Sequence, residues 1–195
     1  MRMNVYTVGM ATQGLANYIL AQFPQSTSGV AIAFDSRNNS KLFAQTAANV
    51  LSSNGIEVHM FDELRPTPLL SYAVRSLQCK AGIVITASHN PKEYNGYKAY
   101  WEDGAQVVAP HDTNIIKEVQ KITSFDQVNW NKQDNLIHYI EEDFDAIYLD
   151  RVKELSLSKE AIQAQKSMPI VFSPIHGASG KMVPAALKAF GFENI

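Results

Sequence analysis

Short apolar runs alternate with helical patterns along the first half of the chain. The runs at 29–35 and 81–86 are apolar almost throughout, which is typical of buried strands, and residues 56–61 are predicted to form another strand. Apolar residues that recur at helical spacings predict helices near 15–23 and 39–53, and Pro66 and Pro68, which a first helical turn tolerates, predict a helix at 66–78. The order strand, helix, strand, helix, strand predicts an α/β fold, a layered domain with a mostly parallel mixed sheet flanked by helices.

The pattern loosens after residue 86, where Asn95-Gly96 predicts a tight turn. Residues 124–140 are polar and indicate no particular element. The remaining expectations are short strands at 97–101 and 105–108 and helices near 115–122 and 141–155.

A second α/β unit is predicted near the end of the chain. The apolar run at 169–172 indicates a strand, and the residues from 183 to 190 indicate a helix after it. A lone strand and helix cannot bury their apolar faces, so we expect this sequence to be part of a longer protein. The expected division is a first domain at 1–145 and the incomplete start of a second at 146–195.

Composition and charge narrow the possible functions. The chain has 195 residues, 46% of them hydrophobic, and a net charge of −2. It has no basic stripe of the kind that binds nucleic acid, and no apolar run near the roughly 20 residues that span a bilayer. Cys79 is the single cysteine, so no internal disulfide is expected, and we interpret it as a small apolar residue on a helix. The cytoplasm is the expected compartment.

The segment from Thr86 to Lys98 concentrates polar, reactive side chains at the end of a predicted buried strand. Ligands bind at this end of the strands in open α/β sheets. Taken singly, Ser88 is most simply a turn residue or helix cap, His89 a structural hydrogen-bonding group and Lys98 a solvated side chain. Together, a hydroxyl, an imidazole, amides and an ammonium suit phosphoryl transfer, which depends on positioning and on neutralising the phosphate oxygens.

Two stretches carry a resemblance to a known family. Thr86-Ala-Ser-His-Asn-Pro91 and Tyr94-Asn-Gly-Tyr-Lys98 resemble the active-site phosphoserine segment of the α-D-phosphohexomutase superfamily, which includes phosphoglucomutases and phosphomannomutases. The resemblance covers most of the chain and extends to Phe34-Asp-Ser-Arg37 and Ser173-Pro-Ile-His-Gly177. The stretches 6–14 and 97–106 are similar to the branch that holds certain bacterial phosphoglucomutases and the animal phosphopentomutases.

The resemblance implies an activity and a set of site residues. The activity is interconversion of hexose 1-phosphate and hexose 6-phosphate through phosphorylated Ser88 and a sugar bisphosphate. A phosphate oxygen on Ser88 would complete a Mg²⁺ site, Ser88, His89 and Lys98 would be catalytic, and Arg37, Asn90 and Asn95 would bind substrate. The family's Gly-Thr-Gly-Gly-Leu-Arg-like segment and Asp-Gly-Asp metal loop are not in this sequence. We therefore expect this fragment to be inactive by itself.

Other functions stay open at this level. A phosphopentomutase, a sugar-bisphosphate synthase and a noncatalytic sugar-phosphate-binding module would share the same segment. A serine hydrolase is disfavoured, since there is no Gly-x-Ser-x-Gly elbow around Ser88. A nucleotide-binding loop at 176–181 is disfavoured as well, because Ile175 stands where the Walker spacing needs glycine. The preferred sugar and the oligomeric state are not indicated.

Overall fold

The computed structural model describes residues 3–24 and 29–195. The chain divides into two compact units, Met1–Tyr139 and Ile140–Ile195. The expected domain division between residues 145 and 146 stays a prediction.

The strands form one mixed, mostly parallel sheet, which confirms the predicted fold class. They are β1 (Val30–Phe34), β2 (Val58–Phe61), β3 (Ala81–Ile85), β4 (Tyr97–Trp101) and β5 (Ile137–Ile140). Their order across the sheet is β4-β3-β1-β2-β5. Strand β1 pairs in parallel with both β2 and β3, whereas β4 runs antiparallel to β3.

Helices cover both faces of this sheet. In the first unit they are α1 (Val5–Gln22), α2 (Ser40–Ser53), α3 (Thr67–Ser76) and α4 (His111–Lys121). Alternate residues of β1 and β3, such as Ile32 and Ile83, join the core formed with α1 and α2. On the opposite face α3 lies so close that a Cβ on Gly82 would be 2.6 Å from Val74 Cγ2. Burial on both faces explains why these strands are continuously apolar.

Helix α1 begins ten residues earlier than the apolar spacing predicted. The Asn4 side chain accepts hydrogen bonds from the backbone of Tyr6 and Thr7, and the Thr7 hydroxyl accepts one from the Asn4 backbone. This capping box satisfies amides that a helix start otherwise leaves unpaired. The sequence signal was missed because threonine replaces the Glu or Gln usual at the third position.

The predicted strand at 105–108 is wrong. Among the residues that the structure describes, this segment makes a single antiparallel bridge, between Tyr100 and Gln106. The chain turns back at Gly104, whose φ is 78°, and soon reaches Pro110. Proline has no backbone N–H to donate, so the pairing cannot extend through it.

The second unit contains α5 (Glu142–Lys153), α6 (Lys159–Ala164) and α7 (Met182–Phe190). Helices α5 and α7 confirm two predicted helices, and α7 ends at Gly191, whose φ of 112° suits a left-handed cap. The predicted strand at 169–172 is wrong. The part of the chain that the structure describes places no strand there, and Val171 is fully exposed. An extended segment becomes a strand only when a neighbour takes its backbone hydrogen bonds.

None of the described helices is long and apolar enough to cross a lipid bilayer.

Cys79 is buried, but its predicted place on a helix is wrong: it lies in the connection between α3 and β3, three residues after α3 ends at Ser76. Removal from water disfavours the thiolate, and the nearby Glu57 carboxylate disfavours it further. Together they raise the pKa of the thiol to about 12. Because the thiolate is the reactive form, the folded protein protects Cys79 from alkylation.

We predict that iodoacetamide labels Cys79 at pH 8 more slowly in the folded protein than in guanidinium chloride, by about 10²-fold or more. The reason is that burial excludes the reagent and the raised pKa leaves little thiolate to react. Mass spectrometry of timed samples measures the rate. Comparable rates in the two states would contradict the buried placement of the thiol.

Candidate active site

The site is built from loops at the carboxyl ends of β1 and β3. These strands are direct neighbours and run parallel, with Phe34 opposite Ile85 at the end of the register. The loop of residues 35–39 that follows β1 therefore meets the loop of residues 86–96 that follows β3. We call the second of these the serine loop. This edge of the sheet is where open α/β folds bind ligands.

Ser88 is exposed on the serine loop in an unusual backbone conformation. Its φ is 60°, in the left-handed region that few residues other than glycine adopt. Its backbone N–H donates to Thr86 Oγ1 at 3.1 Å, and its carbonyl accepts from Arg37 Nη2 at 2.6 Å. Non-glycine residues remain in such conformations only where surrounding contacts over-determine them, often at functional sites.

Lys98 is the side chain that meets the Ser88 hydroxyl. Its Nζ donates a hydrogen bond of 2.6 Å to Ser88 Oγ. The contact follows from the sheet, because β4 turns back along β3 and places Lys98 opposite Val84, four residues before the serine. A half-buried ammonium thus faces an exposed hydroxyl.

Arg37 lies beneath the serine loop. Its Nη1 donates to the backbone carbonyls of Asn90 at 2.5 Å, Pro91 at 2.6 Å and Tyr94 at 3.3 Å, and Nη2 donates to that of Ser88. Only 9% of its side chain is exposed. These hydrogen bonds and the low exposure of the side chain favour a role for Arg37 in holding the loop. The predicted role of Arg37 in substrate binding stays a prediction.

Asp35 connects the two loops, and sequence reasoning did not select it. Its Oδ2 accepts from Arg37 Nε at 2.9 Å, and its Oδ1 accepts from Ser40 Oγ at 2.6 Å. Ser40 Oγ in turn accepts from Asn95 Nδ2 at 2.8 Å. The available signal was its position, as the first polar residue after β1 in Phe34-Asp-Ser-Arg37.

The other predicted residues lie on the same loop with different surroundings. Asn95 is tied inward by its bonds to Ser40 and to the Asn38 carbonyl. His89 and Asn90 are exposed beside Ser88. Hydrogen bonds therefore bring Ser88, Lys98, Arg37 and Asn95 into one network, while His89 and Asn90 present their side chains to solvent.

The described residues do not by themselves form a metal site. Among residues 3–24 and 29–195 no group of three His, Cys, Asp or Glu side chains is arranged to hold an ion. Asp35, the carboxylate of this network, is already bonded to Arg37 and Ser40.

Comparison with known proteins points to one family. Residues 1–126 match the model of the family described as phosphoglucomutase/phosphomannomutase, alpha/beta/alpha domain I. A probable phosphoribomutase of Schizosaccharomyces pombe is 37% identical over 97% of this chain and 33% of its own length. A phosphoglucomutase of Staphylococcus epidermidis is 36% identical over 99% of this chain and 35% of its own. This chain thus spans about a third of the length of these curated relatives.

The fold has solved counterparts. The crystal structure of a phosphoglucomutase/phosphomannomutase family protein from Burkholderia thailandensis superimposes with a TM-score of 0.72. The match covers 99% of this chain and 40% of that protein, at 20% sequence identity. At that identity the likeness shows a shared fold.

We predict that Ser88→Gly is more stable than Ser88→Ala by about 1 kcal/mol, because glycine adopts a φ of 60° without the Cβ clash. Urea unfolding of both variants measures the difference. At Lys117, an exposed residue in the interior of α4, the order is expected to reverse, with glycine about 1 kcal/mol less stable than alanine. Equal stability of the two Ser88 variants would contradict a left-handed Ser88.

Proposed function

Because the chain belongs to the phosphoglucomutase/phosphomannomutase family, we propose that it forms the serine-bearing part of a phosphosugar mutase. Ser88 carries the phosphate in this proposal. The observation that supports it is the 2.6 Å hydrogen bond from Lys98 Nζ to the exposed Ser88 Oγ, inside the segment that matches the family. A phosphate on that oxygen would lie beside a fixed positive charge, which phosphoryl transfer requires.

The proposed reaction has two half-reactions. In the first, a hydroxyl of a sugar monophosphate attacks the phosphorus on Ser88, the bond from phosphorus to Oγ breaks, and a sugar bisphosphate forms. In the second, Ser88 Oγ attacks the other phosphate of that bisphosphate and releases the isomeric monophosphate. The proton that the attacking sugar hydroxyl loses is balanced by one that Ser88 Oγ gains.

Lys98 is the proposed general acid and base of this exchange. As an ammonium it donates to Ser88 Oγ, the oxygen that leaves in the first half-reaction, and so it is placed to protonate that oxygen. In the second half-reaction the same nitrogen takes the proton back from Ser88 Oγ. The sugar hydroxyl that attacks in the first half-reaction releases its proton to solvent, and the sugar oxygen that leaves in the second takes one from solvent. His89, exposed next to Ser88, is proposed to contact the phosphate.

In this proposal, Ser88 would contribute to Mg²⁺ binding through its phosphate. A phosphate oxygen on the serine would be one ligand, and the chemistry supplied by the ion would be neutralisation of phosphate charge. Since the described residues offer no carboxylate set for an ion, its remaining ligands would come from outside them.

The proposed substrates are hexose phosphates, interconverted between the 1- and 6-positions, with a sugar bisphosphate as intermediate. The phosphoglucomutase of Staphylococcus epidermidis supports this choice. A pentose phosphate is the second candidate, because a relative of similar identity is a probable phosphoribomutase. We propose the cytoplasm as the compartment.

The test of Ser88 uses the full-length protein incubated with glucose 1,6-bisphosphate. We predict that intact-mass and peptide analysis find one phosphate, on Ser88, and that Ser88→Ala gains none and loses mutase turnover. Ser76→Ala, an exposed serine in the same unit, serves as the matched control and is expected to behave as wild type. Full turnover in Ser88→Ala would overturn the proposal.

The test of Lys98 compares two substitutions. We predict that Lys98→Met lowers the single-turnover rate of transfer from Ser88 by about 10²–10⁴-fold, because both the charge and the proton are lost. Lys98→Arg is expected to recover binding of the sugar phosphate but not the rate, since a guanidinium does not release its proton. A wild-type rate in Lys98→Arg would show that Lys98 acts through its charge alone.

A further inference from the structure

The serine loop has an unusual concentration of inward-pointing carbonyls. The backbone oxygens of Ser88, Asn90, Pro91 and Tyr94 all accept from the one guanidinium of Arg37. Carbonyl dipoles that converge on one point repel one another unless a cation lies between them, and an unpaired carbonyl away from water is costly. The shape of this loop therefore depends on a buried positive group at its centre.

Only an arginine side chain suits that position. A guanidinium presents five N–H donors in a rigid planar fork, whereas a lysine ammonium presents three from a single point. Arg37 uses Nη1 and Nη2 on the serine loop and Nε on Asp35. With 9% of the side chain exposed, little of it is left to meet a ligand.

Asp35 orients the Arg37 guanidinium and is linked to the far end of the serine loop through Ser40 and Asn95. Asp35 Oδ2 accepts a hydrogen bond from Arg37 Nε, and Oδ1 accepts hydrogen bonds from the Arg37 backbone N–H and the Ser40 hydroxyl. The same Ser40 oxygen accepts from Asn95, the last side chain before the loop returns to β4 through Gly96. Both ends of the serine loop are thus tied to one carboxylate.

We propose that Asp35 and Arg37 are positioning residues, which hold the serine loop so that Ser88 Oγ faces Lys98. This inference rests on the proposed function of Ser88. The left-handed Ser88 is fixed by one hydrogen bond on each side: Thr86 binds its N–H, and Arg37 binds its carbonyl. Without Arg37 the Ser88 peptide loses one of these restraints and its strained conformation relaxes. The hydroxyl then moves away from Lys98.

The experiment compares full-length wild type with Arg37→Lys and Asp35→Asn. Hydrogen–deuterium exchange is measured on peptides that cover residues 86–98. We expect exchange at least about tenfold faster in this segment for both variants, since charge-assisted hydrogen bonds to the loop are lost. Protection of β3 is expected to stay unchanged, which separates loosening of the loop from global unfolding. Arg75→Lys, an exposed arginine on α3, is the matched control and is expected to match wild type.

Kinetics distinguish positioning from substrate binding. A misplaced Ser88 lowers kcat by about 10²-fold with little change in KM. If Arg37 instead held the sugar phosphate, Arg37→Lys would raise KM and leave loop exchange as in wild type, and that result would overturn the inference. Asp35→Asn keeps the size of the side chain, so it provides a second variant should Arg37→Lys fail to fold.

The two proposals fail in different ways. If wild type never gains phosphate on Ser88, the mutase proposal is wrong, while the exchange measurement still reports whether Arg37 holds the loop. If wild type is phosphorylated and both variants keep wild-type exchange and kcat, the positioning role is wrong and the mutase proposal is unaffected.

Discussion

The antiparallel pairing of β4 with β3 is the constraint on which the site depends. Strands β1, β2 and β3 are parallel to one another, whereas β4 runs antiparallel to β3, the strand that precedes it in the chain. The register places Lys98 opposite Val84, and its long side chain then reaches Ser88 Oγ beyond the strand end. A slip of one residue would turn the lysine to the opposite face of the sheet. The contact between Lys98 and Ser88 is thus set by the hydrogen-bond ladder of β3 and β4.

Charge is distributed over the site in two layers. Lys98 offers its ammonium to the outer side of the serine loop, where a phosphate would lie. Arg37 offers its guanidinium to the inner side, where it meets backbone carbonyls and the Asp35 carboxylate. The difference in residue type matches the task, because a lysine releases a proton and an arginine does not. In the proposed mutase, Lys98 would therefore react and Arg37 would hold the loop.

Local patterns predicted most of the fold and part of the site. Strands β1 and β3 were predicted because burial on both faces leaves continuous apolar runs, and helix α2 was predicted because its apolar residues recur at helical spacing until Asn54-Gly55 ends it. The segment from Thr86 to Lys98 was found because its reactive residues lie within one short stretch. The link from Asp35 through Ser40 to Asn95 was not predicted. It joins residues up to 60 positions apart, which meet only because β1 and β3 are neighbours. Strand β5 was missed because Ile137-His-Tyr-Ile140 is half polar and lies at the sheet edge.

Transfer of phosphate through Ser88 can be followed by transient kinetics. In a rapid-quench measurement, full-length protein labelled on Ser88 with radioactive phosphate is mixed with excess sugar monophosphate. We predict that label leaves Ser88 at least as fast as steady-state turnover and appears first in a sugar bisphosphate. Label that stays on Ser88 through many turnovers would contradict it, because phosphate would then move between sugars without the serine.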